Sequence, residues 1–423
     1  MWLSLTRLVG ALCLLVIASL APTVSANENT TIDLEEAVAR TLARNPMLVA
    51  FGFQIQMQQA RVMQSRLRPN LELDVQVENV LGSGEYEGAD AAETTLSLGW
   101  VLERGALEHR VAAARAGVSF FESEAEIQRL DITAQTARMF LTCLANQDRL
   151  AQTKKAVGLA EKTVKAVKER VNAGRTPDAD LARAEANLAR VRLIQDDVEH
   201  ELNTSNYQLS AQWGEFVPSF SKVTGDIQRL PTPADFSSLL SQIDNNPSLS
   251  RYLTQKRLHE AGLRLEQAKS KPSWRLNAGI RHMELTGDNA FVAGITIPLA
   301  TRNRNQGRIA EARAKIAMTD ANRAATRLQI ESQMFAVYQA LQYSLHRAKT
   351  LRKEILPRVE KALADAQKAY EIGRYDYSVL QLLQSEVLDT RTALMEARIE
   401  AHAYVIEIER LTGTVMPSLV GQP

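Results

Sequence analysis

The chain has 423 residues, of which 45% are hydrophobic and 23% charged, and it contains 20 glycines and 13 prolines. It is therefore too apolar for a disordered chain and too poor in glycine and proline for a fibrous one. The 50 Lys and Arg residues nearly balance the 49 Asp and Glu residues, so no charge excess points to nucleic acid, and two cysteines exclude a disulfide scaffold or a cysteine-based metal cluster.

The N-terminal segment has the pattern of a secretory signal peptide. Arg7 precedes an apolar run over 8–20, and the segment ends in a small-residue cleavage motif at Ala26. Thirteen apolar residues are too few to cross a bilayer core, which needs about 20. We expect export with cleavage after Ala26. We expect no lipid anchor, because Cys13 follows Leu12 rather than a small residue.

A helix and two strands are predicted next, and again in the second half of the chain. The helices cover 33–66 and 234–270, with Asp33 capping the first and Glu36 three residues later. Alternation of apolar and polar residues predicts two strands in each half, and the linkers 81–93 and 284–290 predict hairpin loops. The apolar positions are Leu71, Leu73, Val75, Val77, Leu96, Leu98, Trp100, Leu102, Trp274, Leu276, Ala278, Ile280, Phe291, Ala293, Ile295, Ile297 and Leu299.

Very long helices follow the strands. Residues 106–172 and 306–372 are runs of 67 residues, the second interrupted by Pro357. At about 1.5 Å per residue, each would extend about 100 Å. Each run stops at a glycine, and return helices are predicted over 177–213 and 377–412. A coiled-coil seam is predicted on the first return helix from Leu181, Ala184, Leu188, Val191, Ile194, Val198 and Leu202.

The two halves carry the same signature residues at nearly constant spacing. The offsets are 201, 203, 199 and 199 residues for Asn45-Pro46 with Asn246-Pro247, Arg68-Pro69 with Lys271-Pro272, Gly174-Arg175 with Gly373-Arg374, and Gly214 with Gly413. Four matches in one order indicate a duplicated unit. We therefore predict a signal peptide over 1–26, a first repeat over 27–232 that ends in an irregular connector over 214–231, and a second repeat over 233–423, the two repeats interleaving as one unit.

Four strands cannot close a barrel in a membrane. The smallest membrane barrels have eight strands, and the open edge of a sheet leaves backbone groups unsatisfied in lipid. No stretch after the leader predicts a transmembrane helix, so an exported chain is either soluble or must pool its strands with other copies. Two copies would give 8 strands and three would give 12, and strand counting leaves both open. All helices are predicted on the periplasmic side, and both hairpin loops on the outer side.

The leader, the Asn-Pro and Arg-Pro-Asn positions and the Gly-Arg helix ends resemble those of the TolC-type outer-membrane efflux proteins. Three segments are most similar to the CzcC-like heavy-metal branch: 67–73 (LRPNLEL), 95–98 (TLSL) and 304–309 (RNQGRI). The resemblance implies a mixed, predominantly α fold. Long coiled-coil helices would form a periplasmic α-barrel, and four β-strands per chain would contribute to a 12-stranded transmembrane β-barrel in a homotrimer.

The resemblance also implies the surroundings and partners of such a protein. It would lie in the outer-membrane lipid of a Gram-negative bacterium. Its partners would be a periplasmic membrane-fusion adaptor and an inner-membrane pump of the resistance-nodulation-division (RND) type.

The turns that end the long helices are candidate docking tips. Gly174, Arg175, Gly373 and Arg374 lie farthest from the membrane in this layout, where an adaptor can contact the protein end-on. The glycines suit a left-handed turn residue, and the arginines stand beside helix C-termini, where positive charge is favoured. The alternative is that these arginines only stabilise the helix ends.

A second candidate site is the lining of the periplasmic aperture. The resemblance implies acidic residues just after the second tip, where three chains would bring them into a ring. The nearest positions here are Gln381 and Gln384, so no carboxylate ring is predicted at that level. Asp178 and Asp180, after the first tip, are candidates for such a ring. The alternative for these two is helix N-capping after Pro177.

No motif in the sequence indicates an enzyme or a cofactor. The patterns G-x-x-x-x-G-K-[ST], H-E-x-x-H and C-x-x-C do not occur, so no catalytic residue, cofactor or resident metal site is predicted. The six histidines are predicted on the surface or on helix faces, and Met57 and Met63 in the core. The densest polar cluster, typical of a solvated helix face, is Asp196, Asp197, Glu199 and His200.

The resemblance therefore implies a passive outer-membrane duct of a tripartite efflux system that exports heavy-metal cations. One alternative is the same channel fold exporting drugs or secreted proteins. Another is a periplasmic coiled-coil adaptor, which is less well supported because an adaptor normally has one helical hairpin between β-rich domains, whereas this chain has two equivalent units.

Overall fold

The computed structural model describes residues 31–103, 105–299 and 305–414. The predicted signal peptide and its cleavage site lie outside these residues. The helices are α1 (Leu34–Arg44), α2 (Pro46–Ser65), α3 (Ala106–Asn172), α4 (Asp178–Ser210), α5 (Phe236–Gln242), α6 (Pro247–Lys269), α7 (Gln306–Thr350), α8 (Leu356–Glu371) and α9 (Tyr377–Thr412). The strands are β1 (Thr31–Ile32), β2 (Glu72–Glu78), β3 (Glu93–Leu102), β4 (Lys222–Val223), β5 (Trp274–Met283) and β6 (Asp288–Thr296). The predicted helical fold class with few strands is confirmed.

The first predicted helix of each half is divided in two at an asparagine. Asp33 caps α1 as predicted, because its carboxylate accepts a hydrogen bond from the Glu36 backbone N–H at 2.8 Å. The single helix predicted over 33–66 is wrong, because Asn45 is extended (ψ 123°) and α2 starts at Pro46. A residue before proline is pushed out of the α region, whereas proline itself suits the first position of a helix.

The Asn-Pro pair of each half also ties two distant segments together. The Asn45 side chain caps α2 and donates a hydrogen bond to the carbonyl oxygen of Gln212 at 2.7 Å. The Asn246 side chain caps α6 and donates to the carbonyl oxygen of Leu411 at 2.8 Å. In each half, therefore, one asparagine joins the start of the helix that leads to the strands to the end of the return helix.

A glycine at the end of each return helix completes this anchor. Gly413 has φ 70°, and a Cβ atom there would lie 2.8 Å from the Asn245 carbonyl oxygen and 3.0 Å from Pro247 Cδ. Gly214 has φ 80° and faces Pro46 in the same way at 3.7 Å. Two of the signature residues that repeat along the sequence therefore contact each other in each half.

The four long strands form one antiparallel sheet in the order β2-β3-β5-β6. The register places Leu73 opposite Leu98 and Val75 opposite Leu96, so their side chains share one face of the sheet. That apolar face is exposed, with Val75 at 61% and Leu98 at 47% of full accessibility. Strand β6 begins three residues earlier than predicted. In the part of the chain that the structure describes, β2 and β6 are the outer strands of this sheet.

The long helices differ between the halves. Helix α3 is continuous over the predicted 67 residues. The second run is divided, because a π-helical turn (Leu351–Ile355) separates α7 from α8. Pro357 lies just after this turn, and its missing N–H cannot continue the α-helical hydrogen bonds, so the wider turn absorbs the break. No helix in the described residues has both the length and the apolar character needed to cross a membrane.

The connector between the halves, predicted as irregular over 214–231, contains a paired strand and buried side chains. Its strand β4 pairs in parallel with β1, the first described residues of the chain. Val223 is buried, and its backbone exchanges hydrogen bonds with the Gln147 side chain of α3 at 2.8 and 2.9 Å. Phe220 and Ile227 are buried with it against α3. The connector is therefore a packed strap across the long helix.

Replacing Gly413 by alanine is expected to reduce the free energy of unfolding by about 1–3 kcal/mol, because alanine disfavours a left-handed φ and its Cβ would overlap the Asn245 carbonyl. Thermal unfolding of the purified protein, followed by circular dichroism, measures the change. The matched control is Gly262→Ala in α6, where an added Cβ has no atom within 4 Å and alanine favours the helix. Equal losses in the two variants would contradict the anchor.

Candidate functional site

Both helical tips are tight left-handed turns. Gly174 has φ 67° and Gly373 has φ 78°, which confirms the conformation predicted for both. After each glycine the chain bonds back to the helix that has just ended: the Arg175 N–H donates to the Arg170 carbonyl at 2.9 Å, and the Arg374 N–H to the Ala369 carbonyl at 2.8 Å. These bonds satisfy carbonyl groups that a helix end otherwise leaves unpaired.

Arg170 of α3 joins the first tip to the second. Its guanidinium donates hydrogen bonds to the backbone carbonyls of Tyr370 and Glu371 at the end of α8, the latter at 3.3 Å. It lies 4.7 Å from the centre of the Tyr370 ring and also donates to Thr176 Oγ1 at 3.2 Å. One cation therefore neutralises the negative end of a helix that lies 200 residues further along the chain.

The arginine that joins the two tips, Arg170, is not one of the two arginines predicted from the sequence. Arg175 and Arg374 are exposed, and neither forms an ion pair with any described residue. Their position leaves both side chains accessible to a partner. Arg170 was missed because it is one of several basic residues on α3, and only the pairing of the two tips gives it a role.

Buried tyrosines lie directly beneath the tips. Tyr370 and Tyr377 are buried at 4% and 1% exposure in a cluster with Val167, Leu363 and Leu380. Burial raises the pKa of both hydroxyl groups. The two helical hairpins, α3 with α4 and α8 with α9, are therefore held together by apolar packing as well as by Arg170.

The structure separates the four predicted aperture residues. Asp178 is exposed and Asp180 half-buried in the first turn of α4, where negative charge is favoured. Neither carboxylate caps the helix by a hydrogen bond, so the N-capping interpretation is wrong. Gln381 is half-buried and accepts a hydrogen bond from Arg183 at 3.3 Å. Gln384 is only 6% exposed and donates to Thr163 Oγ1 at 3.0 Å, which turns its amide into the helix packing.

The polar cluster on α4 has local partners. Glu199 accepts a hydrogen bond from Gln195 at 3.2 Å and lies 3.8 Å from Lys154. Across the described ranges, no group of three or more His, Cys, Asp or Glu side chains is arranged to hold a metal ion. The cluster is therefore a solvated helix face with an ion pair.

Three predictions of burial are wrong. His402 was predicted on a surface or helix face but is 3% exposed, and burial lowers its pKa although the backbone carbonyls of Ile227 and Arg229 oppose this effect. Met57 and Met63 were predicted in the core but are 55% and 64% exposed. Apolar spacing predicts which residues share a face, and it does not distinguish a face buried inside one chain from a face left for another.

The comparisons with known proteins agree with this geometry. Residues 37–215 match the family model of outer membrane efflux proteins. The chain is 25% identical to the cobalt-zinc-cadmium resistance protein CzcC of Cupriavidus metallidurans over 368 residues, which are 87% of this chain and 85% of the relative. The solved structure of the outer membrane protein VceC from Vibrio cholerae has a TM-score of 0.71 at 18% identity and covers 90% of this chain and 96% of its own. The outer-membrane channel OprN has a TM-score of 0.74 at 16% identity and covers 90% of both chains.

The fold is that of the TolC-type outer-membrane channels, a predominantly helical chain with a four-stranded sheet. The resemblance predicted from the sequence is confirmed: the chain is related to the outer membrane efflux proteins and to CzcC. Proteins of this family are efflux ducts rather than enzymes.

Arg170→Ala is expected to speed hydrogen exchange of the backbone amides over 370–376 by about tenfold, because the α8 carbonyls lose a cationic donor and the Tyr370 ring loses its cation. Mass-spectrometric exchange of the purified protein measures the rate. The matched control is Arg175→Ala, an exposed arginine of the first tip. Unchanged exchange in the Arg170 variant would show that apolar packing alone holds the tips together.

Proposed function

We propose that this protein is the outer-membrane component of a tripartite RND-type efflux system and a passive export duct for heavy-metal cations. One observation carries the proposal: a sheet with an exposed apolar face and two open edges continues into long helices, of which α3 extends about 100 Å. Such a chain has a surface suited to lipid at one end and a rod of periplasmic length at the other.

The open edges support a closed assembly of several copies. Strands β2 and β6 run in opposite directions, so β6 of one copy can pair in the antiparallel sense with β2 of the next. Three copies would give a barrel of 12 strands, the arrangement that the family resemblance supports, and each copy would contribute its helices to an α-barrel.

Exposed apolar rows on the helices support the same assembly. Phe53 and Met57 on α2 are exposed at 59% and 55%, and Leu328 and Phe335 on α7 at 68% and 52%. Within one chain, α2 packs on α3, α3 on α6 and α6 on α7, so α2 and α7 are the outer helices of this layer. We place the exposed rows against each other between neighbouring copies, since buried apolar surface stabilises association. This arrangement gives the exposed Met57 a partner.

The tips are proposed as the end that docks the adaptor. Arg175 and Arg374 are exposed beside Gly174 and Gly373, at the ends of the helices away from the sheet. Asp178 is proposed to line the aperture together with Asp180 and Gln381, whose side chains are partly accessible. The burial of Gln384 argues against a lining role for that side chain.

The organisation of the chain completes the proposal. A leader over 1–26 would direct export and be cleaved after Ala26, with no lipid attached. The segments 27–232 and 233–423 would be two copies of one ancestral unit. The anchors at Asn45 and Asn246 support this duplication, because they make equivalent contacts in both halves.

Placement of the sheet in lipid is tested by Val75→Arg on its apolar face. The change is expected to cost about 2–4 kcal/mol per copy, because a charge would be buried in hydrocarbon. The amount of assembled protein in outer-membrane fractions and its unfolding in lipid measure the effect. The matched control is Gln76→Arg, the next residue on the opposite face. Recovery of the wild-type protein as a soluble periplasmic species would refute the placement.

Function is tested by deleting the protein and measuring survival on Zn, Co, Cd, Cu and Ag salts beside a panel of drugs. Sensitivity to the metal salts alone is expected. Sensitivity to drugs, or loss of a secreted protein, would instead support the alternative channel function.

Complementation with Gly373→Val or Arg374→Glu should fail while the assembled protein stays at its normal level in the outer membrane. The control is Lys155→Glu, an exposed charge reversal on α3 far from the turn. Full resistance with both tip variants would exclude end-on docking.

A further inference from the structure

The polar face of the four-stranded sheet is the more sheltered of its two faces at β3. Thr95 and Ser97 of β3 are only 5% and 6% exposed, although their neighbours Leu96 and Leu98 on the opposite face are exposed at 52% and 47%. Neighbouring side chains on the same face shelter them, and Thr95 accepts a hydrogen bond from Arg281. In the assembly proposed above, on which this inference rests, the apolar face contacts lipid and the polar face lines the passage.

Arg281 of β5 lies on this polar face and joins three strands. Its Nη1 donates to Glu93 Oε2 at 2.7 Å and its Nη2 to Glu78 Oε2 at 3.1 Å, so β3 and β2 each supply one carboxylate. Its Nε donates to Thr95 Oγ1 at 3.0 Å. These three hydrogen bonds hold the guanidinium in one place. The side chain is still 31% exposed on the polar face of the sheet.

Negative charge exceeds positive charge on the polar face. The register of the described strands assigns the following charged residues to it: Glu72, Asp74, Glu78, Glu93, Asp288, Arg275 and Arg281. Five carboxylates therefore stand against two guanidinium groups. Arg275 lies near the helical end of the sheet, 3.8 Å from Glu72. Arg281 lies near the hairpin loops, and it is the cation whose position is set by two carboxylates.

We propose that Arg281 determines how strongly the strand-lined part of the passage favours cations over anions. With Arg281 in place, Glu78 and Glu93 together contribute one net negative charge per copy instead of two. The ligand class is the hydrated inorganic cation, attracted by the wall charge without losing its water. Arg281 thus limits cation attraction near the outer mouth, where a departing cation must not be retained.

Single-channel recording in a planar bilayer under a KCl gradient tests the proposal. The probe is KCl alone. Arg281→Gln is expected to raise the ratio of K⁺ to Cl⁻ permeability about two- to fivefold, the effect of one unit charge acting at a few Å in water. Glu93→Gln, which keeps the arginine, should lower the ratio. Arg281→Lys retains the charge and should leave the ratio near that of the wild type.

Each outcome bears on the proposal. An unchanged ratio in Arg281→Gln channels, or an equal change in Arg281→Lys, would overturn it and leave the proposed duct intact. A purely structural role predicts fewer channels with an unaltered ratio. If Arg281→Gln does not assemble, the Glu93→Gln channel decides alone, and an unchanged or higher ratio there refutes the proposal. A wild-type protein that forms no channel contradicts the duct itself.

Discussion

The open edges of the four-stranded sheet are the constraint on which the rest of this structure depends. Within the described residues, β2 and β6 are paired on one side only, so a row of backbone N–H and C=O groups faces away from the sheet on each. Water can satisfy such groups, whereas hydrocarbon cannot. The exposed apolar face, with Val75 and Leu98, favours hydrocarbon. In lipid, such a sheet is stable only when further strands cover its edges, and this is the physical reason for the proposed assembly of several copies.

The long helices follow from how the strands are connected. Each pair of strands is closed by a hairpin loop at one end, so its helical connections leave together at the other end. In each half, the Asn-Pro turn lies one helix before the first strand and fixes where the helices sit, because Asn45 and Asn246 bond to the ends of the return helices. Gly413 allows that close approach. Local turn chemistry at these points therefore controls the position of elements that extend about 100 Å from the sheet.

The two ends of the molecule use arginine differently. At the tips, Arg170 reaches from α3 to the carbonyl groups that end α8 and holds two turns side by side. In the sheet, Arg281 is held by two carboxylates on the polar face. A guanidinium group suits both positions because it has donors in several directions and stays charged. At the tips it stabilises the end of a helix, and in the sheet it is a fixed charge on the polar face.

Periodicity and turn chemistry in the sequence were enough to predict the continuous α3 and the left-handed turns at Gly174 and Gly373, because these depend on residues a few positions apart. The break at Asn45 is equally local, because Pro46 pushes the residue before it out of the α region. Only the tertiary structure decided the pairing of β1 with β4, the burial of His402 and the role of Arg170. Each of these joins segments that are far apart in the chain, and which distant groups meet is set by the packing of whole helices rather than by any local pattern of residues.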